Sequence, residues 1–350
     1  MKVNVWNTIL QLSKERDVDK QVIINAIEES LRVAASNYFN QNEKAHIKFK
    51  PEKGELSVYS VKKITKNVSD PSSEISLKEA KKIDVTAKQG NYIEIDLPSA
   101  TLGRIAAQAA KQVIFQKVRD AEQEKVYNTF APHTGNIITG VLRRFDSKRN
   151  VILEVKRAEV LLPERERIPD EKFRRGDRVK GVIIQVLKDT KGPQVIISRS
   201  DNQFLKKLLE TEIPEIANGN VRIREIIRRP GERSKVSVST EEKDIDPIGA
   251  CIGIKGNRIL SISKELNGEK IDVVRWSEKP EEYAKSALSP AKVASITIAD
   301  KNKKILKAVV PEDQLSLAIG KKGLNVRLAS KLVGWKIDIK NNERTHKRTN

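Results

Sequence analysis

The chain of 350 residues has one cysteine, three histidines and only 4% aromatic residues. A single cysteine, Cys251, excludes an internal disulfide framework and suits a reducing cytosol. The histidines, His46, His133 and His346, lie far apart and show no metal-ligand spacing, and no nucleophile motif or paired-carboxylate signature stands out. The composition therefore predicts a protein that is not an enzyme and that holds neither a metal nor a cofactor.

Long apolar runs are missing as well. No stretch approaches the roughly 18 uncharged apolar residues that a membrane span requires. The start, MKVNVWNTILQLSKERD, lacks the basic flank, apolar block and cleavage site of a signal peptide. We therefore expect a cytoplasmic protein without a membrane anchor, long enough for two to four domains with separate cores.

Positive charge is in excess, and it is unevenly distributed. The 67 Lys and Arg residues exceed the 47 Asp and Glu residues by 20. Residues 1–130 contain 21 basic and 17 acidic residues, a net charge of +4. The remaining residues contain 46 basic and 30 acidic residues, a net charge of +16. This asymmetry indicates a polyanionic partner for the C-terminal two thirds, although a solvated surface with surplus lysine would have the same composition.

Residues 1–130 read as an α+β domain that ends in a helical connector. Apolar residues recur at helical spacing over residues 6–12 and 22–35. The alternating segments AHIKFK and ELSVYSV predict a hairpin, and DPSSEISLKEAKKID predicts a turn followed by a serine-capped short helix. A longer helix is expected from residue 102 to about residue 127.

Residues 131–200 have a different pattern, which predicts a small closed barrel. Five short strands with Gly, Pro and Asp-Ser turns occupy about 65 residues between 136 and 198, which fits a five-stranded barrel of the OB type better than an open sheet. The segment has 16 basic and 9 acidic residues. Such a barrel with a net positive face is a common platform for single-stranded nucleic acid.

The rest of the chain contains an internal duplication. Residues 201–276 and 277–341 both follow the order helix, strand, strand, short helix, glycine pair, helix, strand, and residues 342–350 read as a basic tail. Gly253 matches Gly320 at an offset of 67, and the later triplets Lys-Ile-Asp match at an offset of 66. The two glycine pairs lie in CIGIKGNRI and AIGKKGLNV.

The repeated glycines favour a turn that clamps a nucleic-acid backbone. A dinucleotide or P-loop site is disfavoured, because the third glycine and the terminal Lys-Ser/Thr are absent and a short helix stands where both folds need a strand. A tight corner between two helices is the simpler structural explanation. In the KH domain, the same arrangement brings a sugar-phosphate chain against side-chain-free backbone and a helix N-terminus. The element order is that of the type II KH variant.

The order of parts and several motifs resemble the NusA family of bacterial transcription elongation factors. The matching segments are EISLKEAKKID at 74–84, GRIAAQAAKQVIFQKVR at 103–119, DPIGACIG at 246–253, GEKIDVVRW at 268–276 and QLSLAIGKKGLNVRLASKLVGWKIDI at 314–339. The implied fold is multidomain α+β, with an α+β N-terminal domain, an OB-type β-barrel of the ribosomal S-one class and two tandem type II KH domains.

The resemblance implies that residues 1–130 bind core RNA polymerase and that barrel and KH domains bind nascent single-stranded RNA. Such a protein modulates pausing, termination and, with other antitermination proteins, antitermination. We expect a monomer. The implied RNA-binding residues are Gly253, Ile254, Lys255, Gly256, Asn257, Arg258, Gly320, Lys321, Lys322, Gly323, Asn325 and Arg327. The polymerase contact on the long helix would involve Arg104, Lys111 and Lys117.

Two departures from the family pattern matter for function. The barrel has LRRFDSKRN in place of an aromatic-rich FGAF stretch, so Phe145 alone offers a stacking surface and modest RNA affinity is expected of the barrel. Some members carry acidic C-terminal repeats, and because this sequence stops just after the second KH unit, we do not expect regulation that depends on them. Two alternatives stay open: a ribosome-associated RNA-binding protein, and an accessory of an RNA-processing exonuclease, for which no catalytic domain is present.

Overall fold

A computed structural model describes residues 45–50, 55–96, 102–188, 190 and 192–341, together with positions 13, 19–21, 24–25, 28–29 and 32. The predicted helices at 6–12 and 22–35 and the tail at 342–350 lie wholly or mostly outside the described residues. The backbone divides into two compact units, Met1–Val126 and Tyr127–Asn350. No helix of the described part is long and apolar enough to cross a membrane.

The first unit contains a sheet built around one long strand. The elements are β1 (Ala45–Lys50), β2 (Glu55–Thr65), β3 (Glu74–Ser76), α1 (Leu77–Ile83) and β4 (Tyr92–Asp96). β2 pairs with β1 and β4 in antiparallel fashion and with β3 in parallel, so the predicted hairpin is confirmed. As predicted, Ser76 caps α1, because its Oγ accepts a hydrogen bond from the backbone N–H of Glu79 at 3.3 Å.

A long helix follows and leads into the barrel. This helix, α2 (Leu102–Phe130), begins at the predicted residue and ends three residues later than expected. The barrel strands are β5 (Ile137–Phe145), β6 (Val151–Val155), β7 (Ala158–Leu162), β8 (Arg178–Val186) and β9 (Val195–Ser198). They close in the order β5-β6-β7-β9-β8, which confirms the predicted barrel. Alternating buried positions such as Val160 and Leu162 of β7 fill its interior.

The two repeats have the predicted order and the same sheet topology, apart from a short additional helix, Pro214–Ala217, in the first repeat. The first consists of α3 (Asn202–Glu212), α4 (Pro214–Ala217), β10 (Val221–Arg229), β11 (Arg233–Thr240), α5 (Pro247–Ile252), α6 (Asn257–Glu265) and β12 (Lys270–Arg275). The second consists of α7 (Pro280–Ala287), β13 (Ser295–Asp300), β14 (Ile305–Val310), α8 (Glu312–Ile319), α9 (Leu324–Val333) and β15 (Lys336–Asn341). In each sheet the central strand pairs antiparallel with the strand before it and parallel with the last one. The α+β fold class with a barrel and two type II KH domains is thereby confirmed.

Barrel and first repeat share one apolar core. Ile168 and Val182 of the barrel are buried together with Phe204 and Leu208 of α3. An ion network lies beside this core. Arg199 donates to Glu171 at 2.6 Å and to Glu265 at 3.0 Å, and its own side chain is 5% exposed. Because the pairing partners come from the barrel and from α6, this arginine connects the two modules.

The junction between the two repeats is built in a similar way. Val274 and Ile227 of the first repeat pack into the apolar core of the second. The Nζ of Lys235, whose side chain is fully buried, donates to Asp272 at 2.9 Å and to the carbonyl of Ser289 at 2.8 Å. Burial lowers the pKa of Lys235, whereas the adjacent carboxylate of Asp272 acts in the opposite direction. Both ion networks join residues that are far apart in the sequence, so a local pattern does not predict them.

Candidate nucleic-acid interface

The two glycine turns have the same backbone conformation. Gly253, Lys255 and Gly256 have positive φ angles of 72°, 52° and 77°, and the corresponding residues of the second repeat, Gly320, Lys322 and Gly323, have 74°, 52° and 71°. A lysine in this left-handed region is uncommon, since its Cβ crowds the backbone. The repetition of an unfavourable conformation at both places indicates that the turn itself has a role.

The glycines of each turn are required for different reasons. A Cβ on Gly253 would lie 2.7 Å from the side chain of Asn257 and 2.8 Å from that of Arg258, and one on Gly320 would lie 2.7 Å from the Cβ of Asn325. A Cβ on Gly256 would approach only Leu260, at 3.9 Å, and one on Gly323 would meet nothing within 4 Å. The first glycine therefore packs against the protein, whereas the second faces open space that a ligand backbone can enter.

Two predicted RNA contacts, Arg258 and Asn325, are engaged inside the protein. They occupy the same position of the two repeats, five residues after the first glycine. Arg258 donates through Nη1 to the carbonyl of Ala250 at 2.6 Å and to Glu215 at 2.8 Å. Asn325 is fully buried. Its Nδ2 donates to the carbonyls of Leu288, Leu317 and Ala318 at 3.0 to 3.3 Å.

Both side chains satisfy carbonyl groups at the end of the short helix before the turn, which would otherwise lack partners. They close the corner between the two helices. Because Asn325 has no exposed surface, an external ligand cannot contact it. In the sequence, Asn325 follows a glycine turn at the start of a helix, which is where an RNA-contacting residue is expected. Only its burial in the structure shows that it has a structural role.

The remaining predicted residues of the turns are exposed. In the first turn these are Ile254, whose side chain is 83% exposed, Lys255 and Asn257. In the second turn they are Lys321, Lys322 and Arg327, whose Nη2 donates to the carbonyl of Lys322 at 2.7 Å. None of these cations pairs with a carboxylate of the described residues. The first turn thus presents one free ammonium group and the second presents two, beside an arginine.

A groove lined by both apolar and charged residues lies next to the second turn. It has a volume of about 470 Å³ and is lined by Ile319, Val326, Ile337, Asp338, Ile339 and Lys340. The end of α8, the first turn of α9 and the edge strand β15 therefore form its walls. Beside the first turn, Ile252 and Leu260 are exposed apolar side chains. Apolar side chains next to such a turn suit unstacked bases, whose faces favour apolar contact while their edges remain free for hydrogen bonds.

The outer face of the barrel is less positive than its composition indicates. Arg143 pairs with Glu154 at 2.8 Å and Arg144 pairs with Glu159 at 2.9 Å, all of them exposed. Phe145 is 46% exposed, as the sequence predicted. These glutamates offset the arginines next to Phe145, so this face offers little uncompensated positive charge.

The described residues include the single cysteine of the chain. They contain no group of three side chains suited to hold a metal ion. Cys251 is buried, and desolvation, assisted by the charge of Glu215, raises the pKa of its thiol to about 12. The thiol is therefore protonated and unreactive at neutral pH. The side chains of the predicted polymerase contacts Arg104, Lys111 and Lys117 lie outside the described residues, although α2, which contains them, is described.

Comparison with known proteins adds independent information. Three family models match the chain: the NusA N-terminal domain at residues 4–124, the NusA-like first KH domain at 199–276 and the NusA-like second KH domain at 280–347. The chain is 44% identical to the transcription termination/antitermination protein NusA of Halalkalibacterium halodurans over 340 residues, which are 97% of this chain and 88% of the relative.

Two further relatives with the same name are similar over comparable lengths. The chain is 43% identical to the protein of Bacillus subtilis, with coverage of 97% of this chain and 91% of the relative. It is 40% identical to the protein of Thermus thermophilus, with coverage of 95% and 88%. The similarity therefore extends across barrel, turns and N-terminal segment together.

Proposed function

Since this chain belongs to the NusA family, we propose that it acts as a transcription termination/antitermination factor that holds nascent single-stranded RNA in its two glycine turns. The observation that carries the proposal is the identical conformation of the two turns, each with an open second glycine and exposed lysine. Each turn grips about four nucleotides. The RNA contacts are Gly253, Ile254, Lys255, Gly256, Asn257, Gly320, Lys321, Lys322, Gly323 and Arg327, with Arg258 as a support of the first turn.

We assign the other segments by the same reasoning. Residues 1–130 bind core RNA polymerase, in part through Arg104, Lys111 and Lys117 of α2, and their net charge of only +4 suits a protein partner better than RNA. Residues 131–200 form the barrel domain, 201–276 the first KH domain and 277–341 the second. Bound to polymerase and RNA at once, a monomer of the protein modulates pausing and termination in the cytoplasm, and antitermination with further proteins.

The RNA grip is tested by the double variant Gly256→Asp with Gly323→Asp. Each aspartate places a carboxylate in the open space beside the turn, so repulsion of phosphate should reduce affinity for a single-stranded RNA by more than tenfold. Fluorescence anisotropy measures the affinity, and circular dichroism verifies that the variant is folded. Gly90→Asp with Gly219→Asp is a suitable control, because both glycines have positive φ and open surroundings away from the turns. Unchanged affinity would refute the grip.

The polymerase assignment is tested by co-elution of the full chain with core RNA polymerase in gel filtration. We expect a stable complex. A charge-reversal variant, Arg104→Glu with Lys111→Glu and Lys117→Glu, should elute apart from polymerase. Co-elution of the wild-type chain with ribosomes and not with polymerase would favour the alternative of a ribosome-associated protein. KH domains occur in that class of protein as well.

A further inference from the structure

The outer faces of the two KH sheets are equivalent by sequence but differ in their surroundings. In the first sheet, Lys235 of β11 lies beside Asp272 of β12 in the parallel register. In the second sheet, Lys307 of β14 and Asp338 of β15 have the same relation. The first lysine is fully buried, because the second repeat covers this face and supplies the Ser289 carbonyl that it binds. Lys307 is exposed.

The residues that hold the second repeat onto the first face are replaced on the second face. Ile227, the register partner of Lys235, packs into the junction, and the corresponding partner of Lys307 is the exposed Thr297. Val274, two residues after the paired aspartate, is buried at the junction, and Lys340 takes its place. A face that has lost its apolar contacts and gained a cation is not suited to another domain of the same kind.

The second face is strongly basic. Six exposed lysines lie on it or on the adjoining β13–β14 hairpin: Lys301, Lys303, Lys304, Lys307, Lys336 and Lys340. The hairpin is adjacent to the start of β15, because the backbone N–H of Lys336 donates to the carbonyl of Lys304 at 2.9 Å. Lys336 pairs with Asp338 at 3.2 Å, and the other five form no ion pair with the described residues. We call these six residues the lysine face.

We propose that the lysine face binds the phosphate backbone of the RNA beyond the nucleotides held by the second turn. The inference rests on the proposed RNA-binding function and extends it. Continuity supports it, since Lys340 of the lysine face also lines the groove next to the turn. Charge supports it as well, because the face offers uncompensated ammonium groups and phosphate is the anion that the neighbouring turn already binds. Backbone contacts of this kind add affinity without adding sequence preference.

The test compares RNA length and lysine position in the full chain. The variant is Lys301→Gln with Lys303→Gln and Lys307→Gln, three positions that do not line the groove. The control is Lys285→Gln with Lys292→Gln and Lys331→Gln, which removes the same charge from exposed positions elsewhere in the second repeat. Dissociation constants for unstructured RNAs of five and fifteen nucleotides are measured by anisotropy at several salt concentrations.

We expect the face variant to bind the fifteen-nucleotide RNA about tenfold or more weakly at 0.1 M salt, with the log-log salt slope reduced by about 2 for three lost phosphate contacts. The five-nucleotide RNA and the control variant should show wild-type affinity. Unchanged binding of the long RNA, or equal losses in variant and control, would overturn the inference and leave the turns as the RNA site. A wild-type chain that binds neither RNA would overturn the proposed function as well.

Discussion

At the residue scale, the two glycines of the second turn allow a matched comparison. A Cβ on Gly320 would lie 2.8 Å from the backbone nitrogen of Asn325, whereas a Cβ on Gly323 would meet nothing within 4 Å. Gly320→Ala should destabilise the second repeat by roughly 2 to 4 kcal/mol, from overpacking and a left-handed backbone together. Gly323→Ala should cost about 1 to 2 kcal/mol, from the backbone alone. Denaturation followed by tryptophan fluorescence measures the difference.

The RNA affinity of the same two variants separates packing from contact. Gly323→Ala, the more stable variant, adds a methyl group where the sugar-phosphate chain is proposed to approach, so its folded molecules should bind RNA more weakly than wild type. Under conditions in which both variants are folded, Gly320→Ala should retain more affinity than Gly323→Ala. Equal stabilities of the two variants, or full affinity of Gly323→Ala, would contradict this division of roles.

At the scale of elements, the barrel is joined to the first repeat through Arg199. Arg199→Met would leave Glu171 buried without its cation, which typically costs about 3 to 5 kcal/mol. The double variant Arg199→Met with Glu171→Met removes both charges and should recover much of that loss. Arg143→Met serves as the control because its pair with Glu154 is exposed, where an ion pair contributes about 0 to 1 kcal/mol. A similar cost for Arg199→Met and Arg143→Met, measured by urea denaturation, would contradict a structural role for the network.

The turn before β3 gives the first unit a pH-dependent contribution to stability. Asp70 accepts hydrogen bonds from the hydroxyls of Ser72 and Ser73, both at 2.6 Å, and these bonds lower the pKa of its carboxyl to about 2. Since this pKa is below the ordinary value of 3.8, the contribution is complete above that pH and is lost as the pH falls toward 2.

Asp70→Asn should therefore reduce the protection of strands β2 and β3 against hydrogen exchange at neutral pH, and the variant should lose less protection than wild type between pH 4 and pH 2. Asp84→Asn is a suitable comparison, because Asp84 is an exposed aspartate that accepts a hydrogen bond from Thr86 on the other side of α1. Parallel pH profiles of wild type and Asp70→Asn would show that the carboxylate contributes nothing to the stability of the turn.

Most elements could be predicted because their signals are local. The short helices α5 and α8 lie directly before the glycine pairs, where the predicted element order places them, since strands, prolines and glycines mark their boundaries. β3 was not predicted, because three residues are too few to show a period. The ion pair of Arg199 and Glu265 could not be predicted, because the two residues are 66 positions apart. In addition, a charged side chain is normally predicted to lie on the surface. The burial of Arg199 depends on which modules meet, and a local pattern does not contain that information.

At the scale of the RNA-binding unit, buried ion networks lie on both sides of the first repeat, and we expect them to limit how far the modules can move. Arg199 and Glu265 connect barrel and first repeat, and Lys235 connects the first repeat to Ser289 of the second. Two grips on one rigid body bind a continuous strand better than two grips on a flexible linker, since the second contact requires no further ordering of the protein. We therefore expect the junctions to contribute to RNA binding without contacting the RNA themselves.

Lys235→Met tests this contribution. Asp272 retains its pair with Arg233 at 3.0 Å, so no buried carboxylate is left alone, but the Ser289 carbonyl loses its donor and the junction should loosen. Joining two sites raises affinity by about 10² to 10⁴ over either alone, and we expect wild type to show such a ratio between RNAs of ten and five nucleotides. In Lys235→Met the ratio should fall severalfold while five-nucleotide affinity is unchanged. The exposed Lys285→Met should preserve the ratio, and a preserved ratio in Lys235→Met would mean that the two turns act independently of the junction.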